Sequence, residues 1–283
     1  MNNSLKQAQQ ISASIDIAGR KMEFDFEPGD IPRDWYDNNS FKSSYMNALS
    51  CLFPEGERMF MDAVRDNQHK ISDPQLLQQI KGFIKQEAIH GHEHAQYNDF
   101  LKRWNYPIDK IMNFEKKEKV WMKKWLSPAR RLAITCALEH FTAIMAHQVL
   151  TNPAFTEGMH PQFKEMWRWH AIEETEHKAV AYDVYQQAVG SYWLRIYTML
   201  AITLMFCFRT SLYQAVFLWK DGQLFNPKVW WNGIKFYFLK PGLVRHIWSD
   251  YLDYFRRDFH PWMHDNRELL QQWEAEGQKY KAV

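Results

Sequence analysis

A chain of 283 residues with 24% charged and 46% hydrophobic side chains has the composition of a folded domain. Its formal net charge of +2 gives no strong attraction to nucleic acid, and three widely spaced cysteines provide neither a disulfide framework nor a zinc–thiolate site. Aromatic residues reach 16% against only 11 glycines, which favours long helices with apolar or interfacial surfaces.

The first forty residues are predicted to form an irregular N-terminal arm. Residues 15–17 and 22–26 alternate apolar and polar side chains, so a short β-like segment is an alternative there. Pro28 and Gly29 then interrupt the chain. No apolar segment typical of a signal peptide is present near the N-terminus. We therefore expect a cytoplasmic protein, with a peripheral position at the inner face of the membrane as an alternative.

Residues 41–190 are predicted to form an all-α, four-helix bundle. Ser40 is expected to cap a helix over 41–51, and Pro54 to begin a second helix over 54–69. Start and stop signals bound three further helices, which are expected over 74–104, 128–150 and 161–189.

These helices carry a pattern of Glu and His. Glu87 and His90 are three residues apart, as are Glu174 and His177, and residues at this spacing lie on one face of a helix. A lone Glu precedes each pair by about the length of a helical hairpin. These lone residues are Glu57 and Glu139. Two such pairs with two lone Glu residues form the ligand set of a carboxylate-bridged dimetal site in a four-helix bundle.

Three further histidines lie close to this pattern. His170 is four residues before Glu174, on the same helix face, and is a seventh candidate ligand. His94, four residues after His90, is expected to support a ligand from behind. His140 points about a quarter-turn away from its neighbouring candidate ligand, so it is either a supporting residue or a core histidine.

Charged residues on solvated helix surfaces would be a simpler explanation, but Glu139 argues against it. This carboxylate follows the apolar segment 132–138, where it is costly unless it is paired or bound to a metal. Carboxylates with imidazoles suit two iron ions, with Mn or Zn as alternatives. Four neighbours lie off the ligand face: Glu173 and Glu176 are not expected to bind metal, and His92 and Glu93 are expected at the surface.

Residues 191–283 are predicted to form an apolar and aromatic helical extension packed on the bundle. Residues 196–208 are uncharged and mostly apolar, but this length is too short to span a bilayer and is more typical of a buried or interfacial helix. In a helix over 192–219, Arg209 would lie near the middle, which is costly in lipid.

A basic segment over residues 116–131 leads into the helix expected over 128–150 and includes Trp121 and Trp125. Most such charge runs are solvated faces. Contact of this segment with an anionic membrane is the alternative.

The candidate ligands resemble those of the ferritin-like di-iron carboxylate proteins, and His170 resembles the additional His ligand of the p-aminobenzoate N-oxygenase group, which oxidises aryl amines with O2. Over about residues 20–220 the chain also resembles a bacterial family named "predicted metal-dependent hydrolase". The segments that carry this second resemblance are 53–57, 71–74, 83–90, 137–140 and 169–174.

Three functions follow as expectations. The first is a non-haem di-iron oxygenase or oxidase that uses O2 on an apolar or aromatic small molecule. It would need a separate electron donor, because the chain has no Gly-rich nucleotide loop and no CxxC motif. The second is a dimetal-dependent hydrolase, in which two metals activate a water molecule. The third is an iron-binding protein without catalysis, against which the aromatic extension argues. A homodimer is compatible with each.

Overall fold

The computed structural model of the protein describes residues 3–22, 24, 26, 31–276 and 281–282. Its helices are α1 (Asn3–Ser14), α2 (Ser40–Asn67), α3 (Pro74–Leu101), α4 (Ile108–Trp125), α5 (Pro128–Thr151), α6 (Pro153–Thr156), α7 (Pro161–His177), α8 (Val180–Ala188), α9 (Tyr192–Lys220), α10 (Pro227–Ile234), α11 (Leu243–Asp253) and α12 (Arg267–Ala275). Two two-residue strands, β1 (Arg20–Lys21) and β2 (Lys281–Ala282), pair antiparallel. The prediction of an all-α helical bundle is confirmed.

Side-chain caps explain where several helices begin. Asp73 accepts a hydrogen bond from the Gln75 amide at the start of α3, and Ser127 accepts one from the Arg130 amide at the start of α5. A proline follows each cap, as the sequence predicts. Asn39, rather than Ser40, caps α2.

The two helices expected on either side of Pro54 are one continuous helix, so that prediction was wrong. Pro54 lies inside the 28-residue α2. A proline has no N–H to donate to the carbonyl four residues earlier, which here belongs to Ser50. The Asn98 side-chain amide of α3 donates to that carbonyl at 3.0 Å instead. This neighbouring donor satisfies the carbonyl that the proline leaves without its helical partner.

The helix expected over 161–189 is divided into α7 and α8. The break follows His177, at the buried Lys178, whose ammonium group donates to the His264 carbonyl and to the Asn266 side chain, both at 2.7 Å. The C-terminal segment is thus tied to the bundle at this break.

The N-terminal arm also differs from the prediction. Residues expected to be irregular form α1, which buries Ala8 and Ile11 against the bundle. Of the β-like stretch expected around residue 19, residues 20–21 form the strand β1, whereas 15–17, 22, 24 and 26 are in no strand. Residues 23, 25, 28 and 29 lie outside the described residues. Gly82 of α3 leaves room for the arm, because a Cβ there would lie 2.3 Å from the Ile17 carbonyl oxygen.

The helices that carry the Glu and His pattern pack against one another. α2 pairs with α3, α5 pairs with α7, and α2 also contacts α5. α9 lies across α2 and α5, and α4 packs against α2. By length and composition α9 could cross a membrane, a criterion that core helices of soluble proteins also meet.

Candidate metal centre

The seven candidate ligands converge between the four helices. α2 contributes Glu57, α3 contributes Glu87 and His90, α5 contributes Glu139, and α7 contributes His170, Glu174 and His177. Each is at most 2% exposed. Residues far apart in the sequence therefore share one buried volume.

One part of the cluster surrounds the imidazole of His177. Its Nε2 atom lies 3.1 Å from Glu87 Oε1, 3.4 Å from Glu174 Oε2 and 3.7 Å from Glu139 Oε2. One nitrogen thus faces carboxylates from three different helices.

The other part surrounds His90 and His170. His90 Nδ1 lies 3.8 Å from Glu174 Oε1 and 4.0 Å from Glu87 Oε1. His170 Nε2 lies 2.7 Å from Glu174 Oε1 and 4.0 Å from Glu57 Oε1. Glu87 and Glu174 therefore lie between the two parts and approach histidines in both.

Three groups in this cluster have ligand atoms within 4.8 Å of one another. They are Glu57, His90 and His170; Glu87, His90 and Glu174; and Glu87, Glu139 and His177. The outer two groups share no residue, and the middle one joins them. This arrangement suits two adjacent cations with carboxylates between them.

Several polar atoms of the cluster have no hydrogen-bond partner although they are buried. They are both carboxylate oxygens of Glu57, Glu87 and Glu139, Oε2 of Glu174, Nδ1 of His90 and Nε2 of His177. Burying such atoms without a partner is costly, and native proteins leave few of them. Because these atoms also face one another, the donor set fits metal ions.

Burial shifts the acid–base behaviour of the cluster. It raises the pKa of Glu57 and Glu139 well above the usual range, and neighbouring carboxylates raise it further. Burial also raises the pKa of Glu87 to about 7 and lowers the pKa of His90 well below its usual value. Cations among these groups would favour the charged carboxylates and neutral imidazoles that metal binding requires.

A hydrogen-bond chain behind His170 sets its tautomer. The Ser50 hydroxyl donates to Asn98 Oδ1 at 2.8 Å, so its oxygen can only accept from His94 Nδ1, which lies 2.9 Å away. His94 Nε2 then carries a lone pair and accepts from His170 Nδ1 at 2.7 Å. The Nε2 atom of His170 consequently faces the cluster, where it contacts Glu174 Oε1 at 2.7 Å. His94 supports the candidate ligand from behind, as predicted.

The other two imidazoles are fixed in the same sense. His177 Nδ1 lies 2.8 Å from the side-chain oxygen of Gln86, which can only accept. His90 Nε2 lies 3.0 Å from Glu173 Oε2, which also accepts. Each ring therefore donates outward and turns its other nitrogen toward the centre, which is the orientation that metal-binding histidines have.

Arg20 of β1 holds the residues that accept from the outward nitrogens of His90 and His177, one directly and one through Glu176. Its guanidinium donates to Glu173 Oε1 at 3.3 Å and to Glu176 Oε2 at 2.8 Å. Glu173 contacts His90, and Glu176 accepts from Gln86, the partner of His177. Arg20, Gln86, Glu173 and Glu176 are functional candidates that the ligand spacing does not indicate, because they act one step behind it.

His140 lies apart from the cluster, in agreement with the alternative that it is a core histidine. Its Nε2 atom contacts the Asp250 carbonyl of α11 at 3.0 Å, and its ring packs beside Tyr254. Among the off-face residues, His92 is exposed as predicted, but Glu93 is only 3% exposed, so its expected surface position was wrong.

Two apolar cavities reach the cluster. One of about 110 Å³ lies between α2, α4, α5 and α9 and has Glu57 in its wall. A smaller one of about 30 Å³ has His170 and Glu174 in its wall. Both are lined by Leu49, Phe53, Thr142 and Met145. The cavities therefore adjoin and approach the cluster from the side of α2 and α5.

The fold and the cluster define an all-α protein with buried Glu and His groups that could hold metal. The family model described as "Predicted metal-dependent hydrolase" matches residues 18–265, and the chain belongs to this family. No curated protein and no solved structure matches the chain.

Proposed function

We propose that the seven clustered residues bind two metal ions and that the protein is a hydrolase of apolar substrates. The observation that carries this proposal is the orientation of the three imidazoles, each of which donates outward through one ring nitrogen and turns the other toward buried carboxylates of the cluster. Membership of a family described as metal-dependent hydrolases supports the reaction class.

The residues divide between two metal positions. Glu57, His90 and His170 would hold one ion, Glu139 and His177 would hold the other, and Glu87 and Glu174 would lie between them. When bound, such ions supply a Lewis acid and lower the pKa of water near the scissile bond.

The protein's own contribution is to select the substrate and to exclude solvent. Glu57 is the candidate ligand in the wall of the larger cavity, whose lining also includes Leu49, Phe53 and Leu138. An apolar acyl or aryl group fits beside these side chains, which would place its polar bond at the metals. Bulk water is kept from the ligands because each of them is almost fully buried.

An O2-dependent di-iron oxygenase or oxidase is the second candidate. The donor set favours it, because four carboxylates with three imidazoles form the hard, nitrogen-supplemented site that suits iron. Of the four residues that line both cavities, only Thr142 carries a hydroxyl, and that hydroxyl already donates to the Glu139 carbonyl. Such a lining suits an apolar substrate of either reaction.

One experiment separates the two candidates. The protein is loaded without O2 with Mn²⁺, Zn²⁺ or Fe²⁺ and given chromogenic esters of increasing acyl length. Metal-dependent ester cleavage without O2 uptake is expected. Oxygen consumption by the reduced iron form, with no cleavage under any metal, would overturn the hydrolase proposal in favour of the oxygenase. Glu139→Gln is the inactive control, and Glu268→Gln on the surface of α12 is its matched neutral variant.

A further inference from the structure

Exposed large apolar side chains are unevenly distributed over the protein. Among the described residues they occur on α4, on α9 and over residues 225–252, and on none of the other helices. Soluble proteins rarely expose continuous apolar surface of this extent without a binding role.

α9 has the longest apolar surface. Five of its side chains recur at helical spacing and are between 47% and 75% exposed: Trp193, Tyr197, Leu200, Leu204 and Phe208. This stripe spans about 22 Å at the rise of an α-helix. The charged residue at its start, Arg195, is buried and donates to the Arg256 carbonyl. The outward surface of α9 is therefore uncharged from 193 to 208.

α4 adds aromatic rings beside positive charge. Trp121 and Trp125 are 56% and 63% exposed. Lys116, Lys117 and Lys124 are exposed on the same helix. The acidic side chains of Glu115 and Glu118 instead turn toward Arg209 of α9. The solvent-facing charge of α4 beside the tryptophans is consequently positive. We call Trp121, Trp125 and the five α9 side chains the apolar face.

The cavity that leads to Glu57 lies between these two helices. Met122 and Lys119 of α4 line it on one side, and Met205 and Arg209 of α9 line it on the other. Arg209 joins the helices through its ion pairs with Glu115 and Glu118, and all three residues line the cavity. The apolar face thus borders the route to the candidate metal centre.

We propose that the apolar face docks on an anionic lipid bilayer, so that an apolar substrate enters the cavity directly from the lipid. Tryptophan and leucine side chains enter the interfacial region of a bilayer, and nearby lysines attract anionic headgroups. The statement about substrate entry rests on the proposed function, whereas docking does not.

Two other occupants fit the structure less well. A second copy of the chain would bring the lysines of two α4 helices near one another, which is unfavourable. Passage of α9 through a bilayer would require its buried side chains, among them Arg195, Thr210 and Gln214, to leave the protein interior. An anionic surface satisfies both the apolar stripe and the lysines.

Sedimentation with vesicles tests docking. The protein should pellet with vesicles of phosphatidylcholine and phosphatidylglycerol, should pellet less at high salt, and should stay in solution with phosphatidylcholine alone. The double variant Leu204→Glu/Phe208→Glu should bind at least about tenfold more weakly. Gln271→Glu/Gln272→Glu adds the same charge on exposed positions of α12 and should bind as the wild type does.

A charge reversal tests the contribution of the lysines. Lys117→Glu should weaken binding to the anionic vesicles, whereas Lys81→Glu on α3 should not. Docking is overturned if the folded wild-type protein fails to pellet with anionic vesicles, or if the variants and their controls lose binding equally. It is also overturned if light scattering shows a dimer that Leu204→Glu/Phe208→Glu dissociates, since the face would then be an interface between copies.

The same variants separate docking from catalysis. Leu204→Glu/Phe208→Glu should retain its metal and its cleavage of a short, soluble ester, but lose cleavage of a long-chain ester held in anionic vesicles. Equal cleavage of the vesicle-held ester by wild type and variant would overturn entry from the lipid. Vesicle binding in a protein that binds no metal would leave docking standing and overturn the proposed function alone.

Discussion

Replacement of Glu139 by glutamine tests the energetic basis of the metal centre. The carboxylate is 1% exposed, both of its oxygens lack hydrogen-bond partners, and Glu87 and Glu174 add negative charge nearby. Without metal this carboxylate opposes folding, because a buried carboxylate with no partner is costly. The neutral amide of Glu139→Gln should therefore leave the metal-free protein at least as stable as the wild type.

The effect of metal should be the reverse. A metal that binds only the native state at about 100 times its Kd adds about 2.7 kcal/mol to the free energy of unfolding. Unfolding entropy is about 2.1 cal/mol/K per residue, or about 0.6 kcal/mol/K for the 283-residue chain. The ion that Glu139 would hold should then raise the wild-type Tm by about 5 °C, in addition to the contribution of the other ion. If losing a ligand weakens affinity about 100-fold, the gain falls to about 0.4 kcal/mol, which is less than about 1 °C in Tm.

Calorimetry of chelator-treated protein, with and without added Mn²⁺ or anaerobic Fe²⁺, measures both effects. Glu268→Gln should show the full rise in Tm on adding metal. A rise in Glu139→Gln equal to that of the wild type would refute the assignment of Glu139 as a ligand. So would a metal-free variant several degrees less stable than the metal-free wild type, because the carboxylate would then be stabilised by the protein itself.

Three further variants probe the surroundings of the ligands. Gly91→Ala would place a Cβ 3.0 Å from Glu57 Oε2, so metal affinity measured by titration should fall about tenfold, whereas Gly56→Ala meets nothing within 4 Å and should leave it unchanged. His94→Ala removes the partner of a candidate ligand and should weaken metal binding about 10- to 100-fold, with the exposed His92→Ala as its unaffected control; equal effects of the two would contradict the support role. Arg20→Met leaves the two buried carboxylates of Glu173 and Glu176 without their cation. The free energy of unfolding measured by urea denaturation should fall by about 3 to 5 kcal/mol. A negligible change would show that Arg20 does not tie the N-terminal arm to the bundle.

The clustering of the candidate ligands could be predicted from the sequence because helical periodicity converts spacing into geometry. Glu174 and His177 share a face of α7 wherever that helix lies, and the apolar surroundings of Glu139 indicate burial. A helix cap depends on residues that are close together in the chain. The starts of α3 and α5 were therefore predicted correctly from the sequence.

The residues that support the ligands could not be predicted in this way. Arg20 reaches Glu173 and Glu176 across more than 150 positions of the chain, and no local pattern records that contact. The continuity of α2 through Pro54 likewise depends on Asn98 of another helix. The missed role of Arg20 and the wrong helix boundary at Pro54 both arise because a hydrogen bond between distant parts of the chain is decisive there.

Hydrogen bonds from the support residues fix the orientations of the three candidate histidine ligands. A single arginine holds two carboxylates, and these reach His90 directly and His177 through Gln86. A separate chain from Ser50 through His94 fixes His170. The three imidazoles are therefore oriented before any metal binds, which lowers the conformational cost of binding.

The metal content of the loaded protein tests the central claim most directly. After anaerobic loading with Fe²⁺ or Mn²⁺ and removal of free metal by gel filtration, elemental analysis should give two ions per chain for the wild type and for Glu268→Gln, and a clear loss for Glu139→Gln. A wild-type protein that retains fewer than one ion per chain with each metal, or a Glu139→Gln variant that retains two, would contradict a dinuclear centre at these residues.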